Sequence, residues 1–191
     1  LCGSLHPVDE AWLADARAAF PALGALPSPR TAVLLGGPTK AVRFDRGAFE
    51  VMQSRLEHWL ATSGGSLMVV GSRRTPRALA QLGRAYWADT PGLRWFDDSD
   101  GPNPYAGALA WADRVVVSPD SVNMVSEACA TSAPVYVAEP GRATGRVKSY
   151  LDELLRRGRI RALGKHPEAF AAEPLCETAR VAAEVMARLS R

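Results

Sequence analysis

Two spacing patterns of apolar residues alternate along this chain. Short apolar runs with almost no polar interruption are separated by longer stretches in which apolar residues recur every three or four positions. The first pattern is typical of buried parallel strands, and the second is typical of amphipathic helices. The pattern predicts strands at 31–37, 66–72, 93–98, 114–119 and 134–139, and helices at 45–62, 77–87, 104–112, from 120 onward, 145–157 and 176–189.

This alternation of strands and helices predicts an α/β fold. Successive βαβ units build a Rossmann-like parallel sheet with helices on both faces. Ahead of the first strand, residues 9–20 form an amphipathic pattern and residues 21–29 are rich in proline. We therefore interpret residues 1–29 as a connector helix and linker, and residues 30–191 as one Rossmann-like domain.

The composition agrees with a globular chain of 191 residues, with 47% hydrophobic and 23% charged residues. No apolar run approaches the roughly 20 residues that span a bilayer, and no signal sequence is evident. Cys2, Cys129 and Cys176 are too widely spaced to indicate a disulfide framework or a zinc site, so we expect a reducing, cytoplasmic environment.

The net charge of +3 argues against a dedicated nucleic-acid-binding protein. One segment, which begins at Arg142 and ends at Lys165, is nevertheless rich in arginine and lysine. Such a segment is either a solvated surface or a docking site for an acidic partner or membrane. In the second case the protein would be peripheral to the inner membrane.

Ligands of parallel α/β sheets bind outside the carboxyl ends of the strands, so the loops after the strands are the candidate site. After the first strand, Gly36, Gly37 and Lys40 could approach a phosphate, or form an ordinary tight turn. After the second strand, N–H donors and guanidinium groups that suit a diphosphate come from Ser72, Arg73, Arg74 and Thr75. The alternative for this loop is a pair of surface arginines beside a helix capped at Thr75.

The third loop contains Phe96 and the sequence Asp98-Ser99-Asp100. This D-x-D sequence resembles the metal-binding motif of one class of glycosyltransferases. No Glu or His follows at a spacing that would complete a cation site, so we predict no metal. Asn103 is expected to cap the following helix.

The fourth loop leads into a helix with polar residues on one side. At 100° per residue, Asp120, Asn123 and Glu127 share one sector, and Ser121 is a cap-type residue. A carboxylate at Glu127 could accept two ribose hydroxyls, or it could simply be solvent-exposed. No complete catalytic set is recognisable, so the catalytic residues remain unknown.

Four segments carry a resemblance to a known family. They are LHPVDEAWL (5–13), VLLGGPTKAVRF (33–44), VVGSRRTP (69–76) and NPYAGALAWADRVVVSPDSVNMVSEACATSAPVYV (103–137). With these segments the chain resembles the carboxyl-terminal half of a GT-B glycosyltransferase, and more specifically the bacterial members of the mitochondrial fission Elm-like family. It departs from related transferases at Asp120, where a glycine-rich turn is common.

The resemblance implies a metal-independent domain that binds a UDP-sugar as donor substrate and needs no further cofactor. Gly36 and Gly37 would line the diphosphate, the arginine loop would add charge, and the Phe96 loop would meet the base. Ser121 would contact the phosphate, and Glu127 the ribose. The catalytic base would come from an amino-terminal domain that this sequence lacks, so enzymatic activity stays open. The alternatives are a non-catalytic adaptor of the Elm-like type and a sugar-nucleotide epimerase.

Overall fold

A six-stranded parallel sheet forms the centre of the computed structural model, which describes residues 3–175 and 177–189. The strand order is β3-β2-β1-β4-β5-β6, so the predicted Rossmann-like α/β fold is confirmed. Cys2 and Cys176 lie outside the described residues. The strands are β1 (Arg30–Leu35), β2 (Ser66–Gly71), β3 (Gly92–Trp95), β4 (Arg114–Val117), β5 (Val135–Val137) and β6 (Ile160–Ala162).

Helices connect the strands and precede the first one. Because crossovers between parallel strands are right-handed, the strand order implies that α3 and α4 lie on one face of the sheet and α5, α6 and α7 on the other. The helices α1 and α2 pack against α5. Among the described residues, none of the helices combines the length and apolar character required to cross a membrane. The helices are α1 (Glu10–Ala19), α2 (Pro21–Gly24), α3 (Arg46–Ser63), α4 (Arg77–Tyr86), α5 (Tyr105–Trp111), α6 (Val122–Cys129), α7 (Gly145–Arg156) and α8 (Glu177–Leu189).

Unbroken apolar strands reflect burial on both faces of the sheet. In β2, every residue is buried, and in β1 all but the first are. Aromatic side chains fill the layer between the sheet and the helices, with Phe49, Trp59 and Trp87 fully buried. Each such side chain contributes about 2–3 kcal/mol by leaving water, and together they fix the helices on the sheet.

The structure corrects several predicted boundaries. The predicted first and third strands continue too far, because β1 ends at Leu35 and residues Asp98–Asp100 form a 3₁₀ turn. The short strand β6 was not predicted, because only Ile160 among its residues is buried and its sequence contains no apolar run. The helix expected from Asp120 begins at Val122 instead, so Asp120 is not part of the helical stripe.

Candidate functional site at the carboxyl edge of the sheet

The central strands β1 and β4 are neighbours, and the chain leaves them in opposite directions. This reversal of strand order opens a crevice at the carboxyl edge of the sheet, where ligands of such folds bind. A cleft of about 1470 Å³ lies here, walled by the loops after β2, β3 and β4.

The floor of this region joins the loop after β1 to the loop after β4. The Gly36 N–H donates to Ser118 Oγ at 2.8 Å, and the Gly37 N–H donates to Asp120 Oδ2 at 2.7 Å. A Cβ on Gly36 would lie 1.8 Å from Asp120 Oδ2, and one on Gly37 would lie 1.9 Å from the carbonyl oxygen of Arg74. Both glycines are therefore required by close packing, and their N–H groups are already bonded within the protein.

The loop after β2 is held by Thr75. Its hydroxyl oxygen accepts the Ser72 N–H at 2.8 Å and lies 2.8 and 2.7 Å from the carbonyl oxygens of Leu35 and Gly36. The expectation that Thr75 caps the following helix is wrong, because Pro76 occupies the N-cap of α4. Thr75 instead ties the loops after β1 and β2 together.

Arginines dominate the wall formed by this loop and α4. Arg73, Arg74 and Arg77 line the cleft with exposed side chains. Among the described residues, Arg73 and Arg77 form no ion pair, and Arg74 approaches Asp120 at 3.7 Å. Arg77, Gln81 and Arg84 follow one another at helical spacing along the cleft side of α4, a polar stripe that sequence reasoning missed.

The adjoining wall is acidic and comes from the turn after β3. Asp100 Oδ2 accepts from the Phe96 N–H at 2.7 Å and pairs with Arg84 at 2.5 Å. The Arg84 guanidinium also lies 4.9 Å from the Phe96 ring centroid, so the ring is covered and buried. The carboxylate of Asp100 thus organises the turn. Within residues 3–175 and 177–189, no three His, Cys, Asp or Glu side chains are grouped to hold a metal ion.

The third side of the cleft is the start of α6. The Ser121 side chain caps the helix by accepting from the Met124 N–H, and Asn123 projects into the cleft as an exposed residue. Glu127 is half-buried and accepts a hydrogen bond from the Tyr105 hydroxyl. Burial, followed by the negative charge of Glu127 and their hydrogen bond, raises the pKa of Tyr105 well above its usual value.

The structure brings most of the predicted ligand-binding residues into one cleft. Those in its wall are Ser72, Arg73, Arg74, Thr75, Phe96, Asn103, Asp120, Ser121 and Asn123. Gly36, Gly37, Lys40 and Glu127 are not in the wall. Asn103 accepts the Tyr105 N–H at 2.9 Å, close to its expected capping role, although Pro104 is the N-cap of α5.

Other residues of the wall were not predicted, chiefly Arg77, Arg84 and Tyr105. Tyr105 stands in the Asn-Pro-Tyr sequence, but nothing in that sequence shows that the phenol reaches Glu127, 22 residues away. The wall, as formed by the described residues, contains no histidine.

The basic segment that begins at Arg142 is largely neutralised by neighbouring side chains. Arg156 and Arg157 both pair with Glu153, whose pKa they hold at about 2. Lys148 pairs with Asp152 at 2.7 Å. Further pairs join Arg142 to Asp45 and Glu139, and Arg161 to Glu168.

Two basic side chains of this segment stand apart from those pairs. Within the described part of the chain, Arg146 and Lys165 form no ion pair, and both residues are exposed. Arg159 also has no carboxylate partner among the described residues, because its guanidinium is buried against backbone carbonyls.

Fold and cleft together define a Rossmann-like domain with a candidate anion-binding site at its topological switch point. The model of the mitochondrial fission ELM1 family matches residues 1–189, and the chain belongs to that family. The mitochondrial fission protein ELM1 of Arabidopsis thaliana is 32% identical over 192 residues, covering 98% of this chain and 44% of the relative.

A second relative, the uncharacterized protein RP120 of Rickettsia prowazekii, is 27% identical over 157 residues, covering 80% of this chain and 44% of its own length. The chain thus spans less than half the length of the curated relatives it matches. No solved structure gives a significant match.

Proposed function

We propose that the cleft binds a nucleotide-sugar, with a UDP-sugar as the ligand, and that this chain is the donor-binding half of a GT-B-like glycosyltransferase that uses no metal ion. The observation that carries the proposal is the concentration of arginines on one wall of a cleft at the switch point. In this proposal the catalytic base comes from a second domain outside these 191 residues.

The basic wall supports binding of the diphosphate. Arg73 and Arg77 have no carboxylate partner among the described residues, so neither must leave an ion pair to contact a phosphate. One guanidinium group can donate two parallel hydrogen bonds to the oxygens of a phosphate. A hydrogen bond to a charged group contributes about 1.5–3 kcal/mol to binding. Two such residues offer enough charge to bind a diphosphate without a cation.

The nucleoside would lie toward α6 and the acidic turn. Asn123 offers both donor and acceptor groups, and the Tyr105 phenol, held by its hydrogen bond to Glu127, offers an acceptor oxygen. Ribose hydroxyls are donors that such acceptors bind. In this arrangement Glu127 contributes to binding by holding the Tyr105 phenol in position, since Tyr105 is part of the cleft wall and Glu127 is not.

Calorimetric titration of the 191-residue chain with UDP and UDP-sugars tests the proposal. We expect a dissociation constant in the micromolar range, which corresponds to a binding free energy of about 8 kcal/mol in favour of the complex. The double variant R73A/R77A should weaken binding by about 2–4 kcal/mol, and Glu127→Ala by about 1–3 kcal/mol. Arg156→Ala, an exposed arginine outside the cleft wall, is the matched control and should bind like the wild type. Absence of UDP binding by the wild type would overturn the proposal.

A second candidate is a non-catalytic adaptor, and its support is that the name of the Arabidopsis relative gives mitochondrial fission and no enzymatic activity. The basic segment would then contact an acidic partner or membrane mainly through Arg146 and Lys165, since its other charges are paired or buried. An adaptor should bind vesicles containing phosphatidylserine and show no UDP binding. The double variant R146A/K165A should lose the vesicle binding.

A further inference from the structure

The carboxylate of Asp120 occupies the position between the glycine loop and Arg74. We propose that Asp120 is a built-in anion, which a phosphate of the ligand must displace before it can reach the Gly37 N–H and the Arg74 guanidinium. The identity of the ligand rests on the proposed function, whereas the competition itself concerns any phosphate.

The contacts of Asp120 are those that a bound phosphate would use. Its Oδ2 accepts the Gly37 N–H at 2.7 Å and lies 3.7 Å from Arg74 Nη2. Backbone N–H groups of a glycine loop together with an arginine are a common donor set for anions. The side chain of Asp120 has no exposed surface, yet the residue belongs to the cleft wall. Asp120 is therefore at the bottom of the cleft, where an entering phosphate would arrive.

The carboxylate is incompletely satisfied in this position. Its Oδ1 is buried and has no hydrogen-bond partner among the described residues. A buried acceptor without a partner costs free energy, which is recovered when the group returns to water or to a donor. Arg74 is half-exposed and is therefore able to follow a phosphate instead of Asp120. Both features make the carboxylate displaceable.

Competition of this kind lowers the affinity for phosphate-containing ligands. Two anions in one poorly hydrated place repel each other, so either Asp120 moves or the phosphate stays at the mouth of the cleft. Removing the negative charge while keeping the acceptor oxygen should relieve the repulsion. The floor would then bind a phosphate more tightly than it does in the wild type.

The experiment compares Asp120→Asn and Asp120→Ser with the wild-type chain by calorimetry, using UDP, inorganic pyrophosphate and uridine. Both variants should bind UDP and pyrophosphate at least about tenfold more tightly, and uridine unchanged, because uridine carries no phosphate. Adding Arg74→Ala should remove the gain. Asp152→Asn removes one negative charge from α7, outside the cleft wall, and should leave all three affinities unchanged. Thermal unfolding of each variant verifies that it is folded.

The outcomes separate this inference from the proposed function. If the wild type binds UDP but neither Asp120 variant binds it more tightly, the competition is wrong and the nucleotide site remains. If the variants bind pyrophosphate more tightly while no protein binds UDP, the competition is supported and the nucleotide function is overturned. If no protein binds any of the phosphate compounds, both proposals are overturned. The serine variant decides these outcomes if the asparagine variant does not fold.

Discussion

The hydroxyl of Tyr105, the first residue of α5, donates a hydrogen bond to Oε2 of Glu127 in the middle of α6. This contact links two helices that meet beside the cleft, and it connects a residue of the cleft wall to one behind it. The position of the phenol in the cleft therefore depends on a carboxylate that the ligand need not touch.

Replacing Tyr105 by Phe should lower the free energy of unfolding by about 1–2 kcal/mol, since Glu127 loses its donor in a partly buried place. Urea unfolding measures this change. Tyr86→Phe is the matched control, because Tyr86 is exposed at the surface. This substitution should lower the free energy of unfolding by less than about 0.5 kcal/mol. Equal effects of the two variants would show that the bond with Glu127 adds no stability.

Stability should also fall at alkaline pH because of Tyr105. Burial, with the charge and hydrogen bond of Glu127, raises the pKa of this phenol in the folded state. Between the unfolded pKa near 10 and the higher folded value, the unfolded chain has released a proton that the folded chain keeps. The free energy of unfolding therefore decreases as pH rises above about 10. Urea unfolding at a series of pH values should give a shallower decrease for Tyr105→Phe than for the wild type.

Adding a methyl group at Gly37 should be strongly destabilising. Its Cβ would overlap the carbonyl oxygen of Arg74, and backbone cannot move aside as a flexible side chain can. We expect Gly37→Ala to cost more than about 2 kcal/mol in the free energy of unfolding. Gly141→Ala is the control, because a Cβ there meets no atom within 4 Å and the φ angle is not positive. A stable Gly37→Ala protein would mean that the loops after β1 and β2 are less closely packed than the structure shows.

Arg159 is a buried cation that ends α6 through hydrogen bonds to backbone carbonyls. Its guanidinium donates to Cys129 O at 3.0 Å and to Thr131 O at 2.7 Å, and burial lowers its pKa. Arg159→Met should cost about 2–4 kcal/mol, because several buried carbonyl oxygens lose their donors. Arg159→Lys should recover only part of the lost stability, because an ammonium group cannot reach all of these carbonyl oxygens at once. Arg157→Met, at the exposed neighbouring arginine, serves as control in the same urea experiment.

Local sequence determined the elements and their order. Unbroken apolar runs can be buried only in a sheet covered on both faces, so the runs at 31–37 and 66–72 are by themselves sufficient to indicate central parallel strands. The same reasoning located the loops where a ligand could bind, and it identified the arginines of the second loop. It failed for β6, whose pairing with β5 depends on backbone hydrogen bonds rather than on its own side chains.

Tertiary structure alone decided what the polar residues of those loops do. The hydrogen bonds from Gly37 to Asp120 and from Tyr105 to Glu127 join residues 83 and 22 positions apart, and no periodicity along the chain encodes such pairs. A helical wheel placed Asp120 beside Glu127, but the carboxylate turns to an N–H donor of another loop because the helix begins only at Val122. Apolar patterning fixes which residues are buried, whereas the partner of a polar group is chosen by whatever donor or acceptor the folded chain brings within reach.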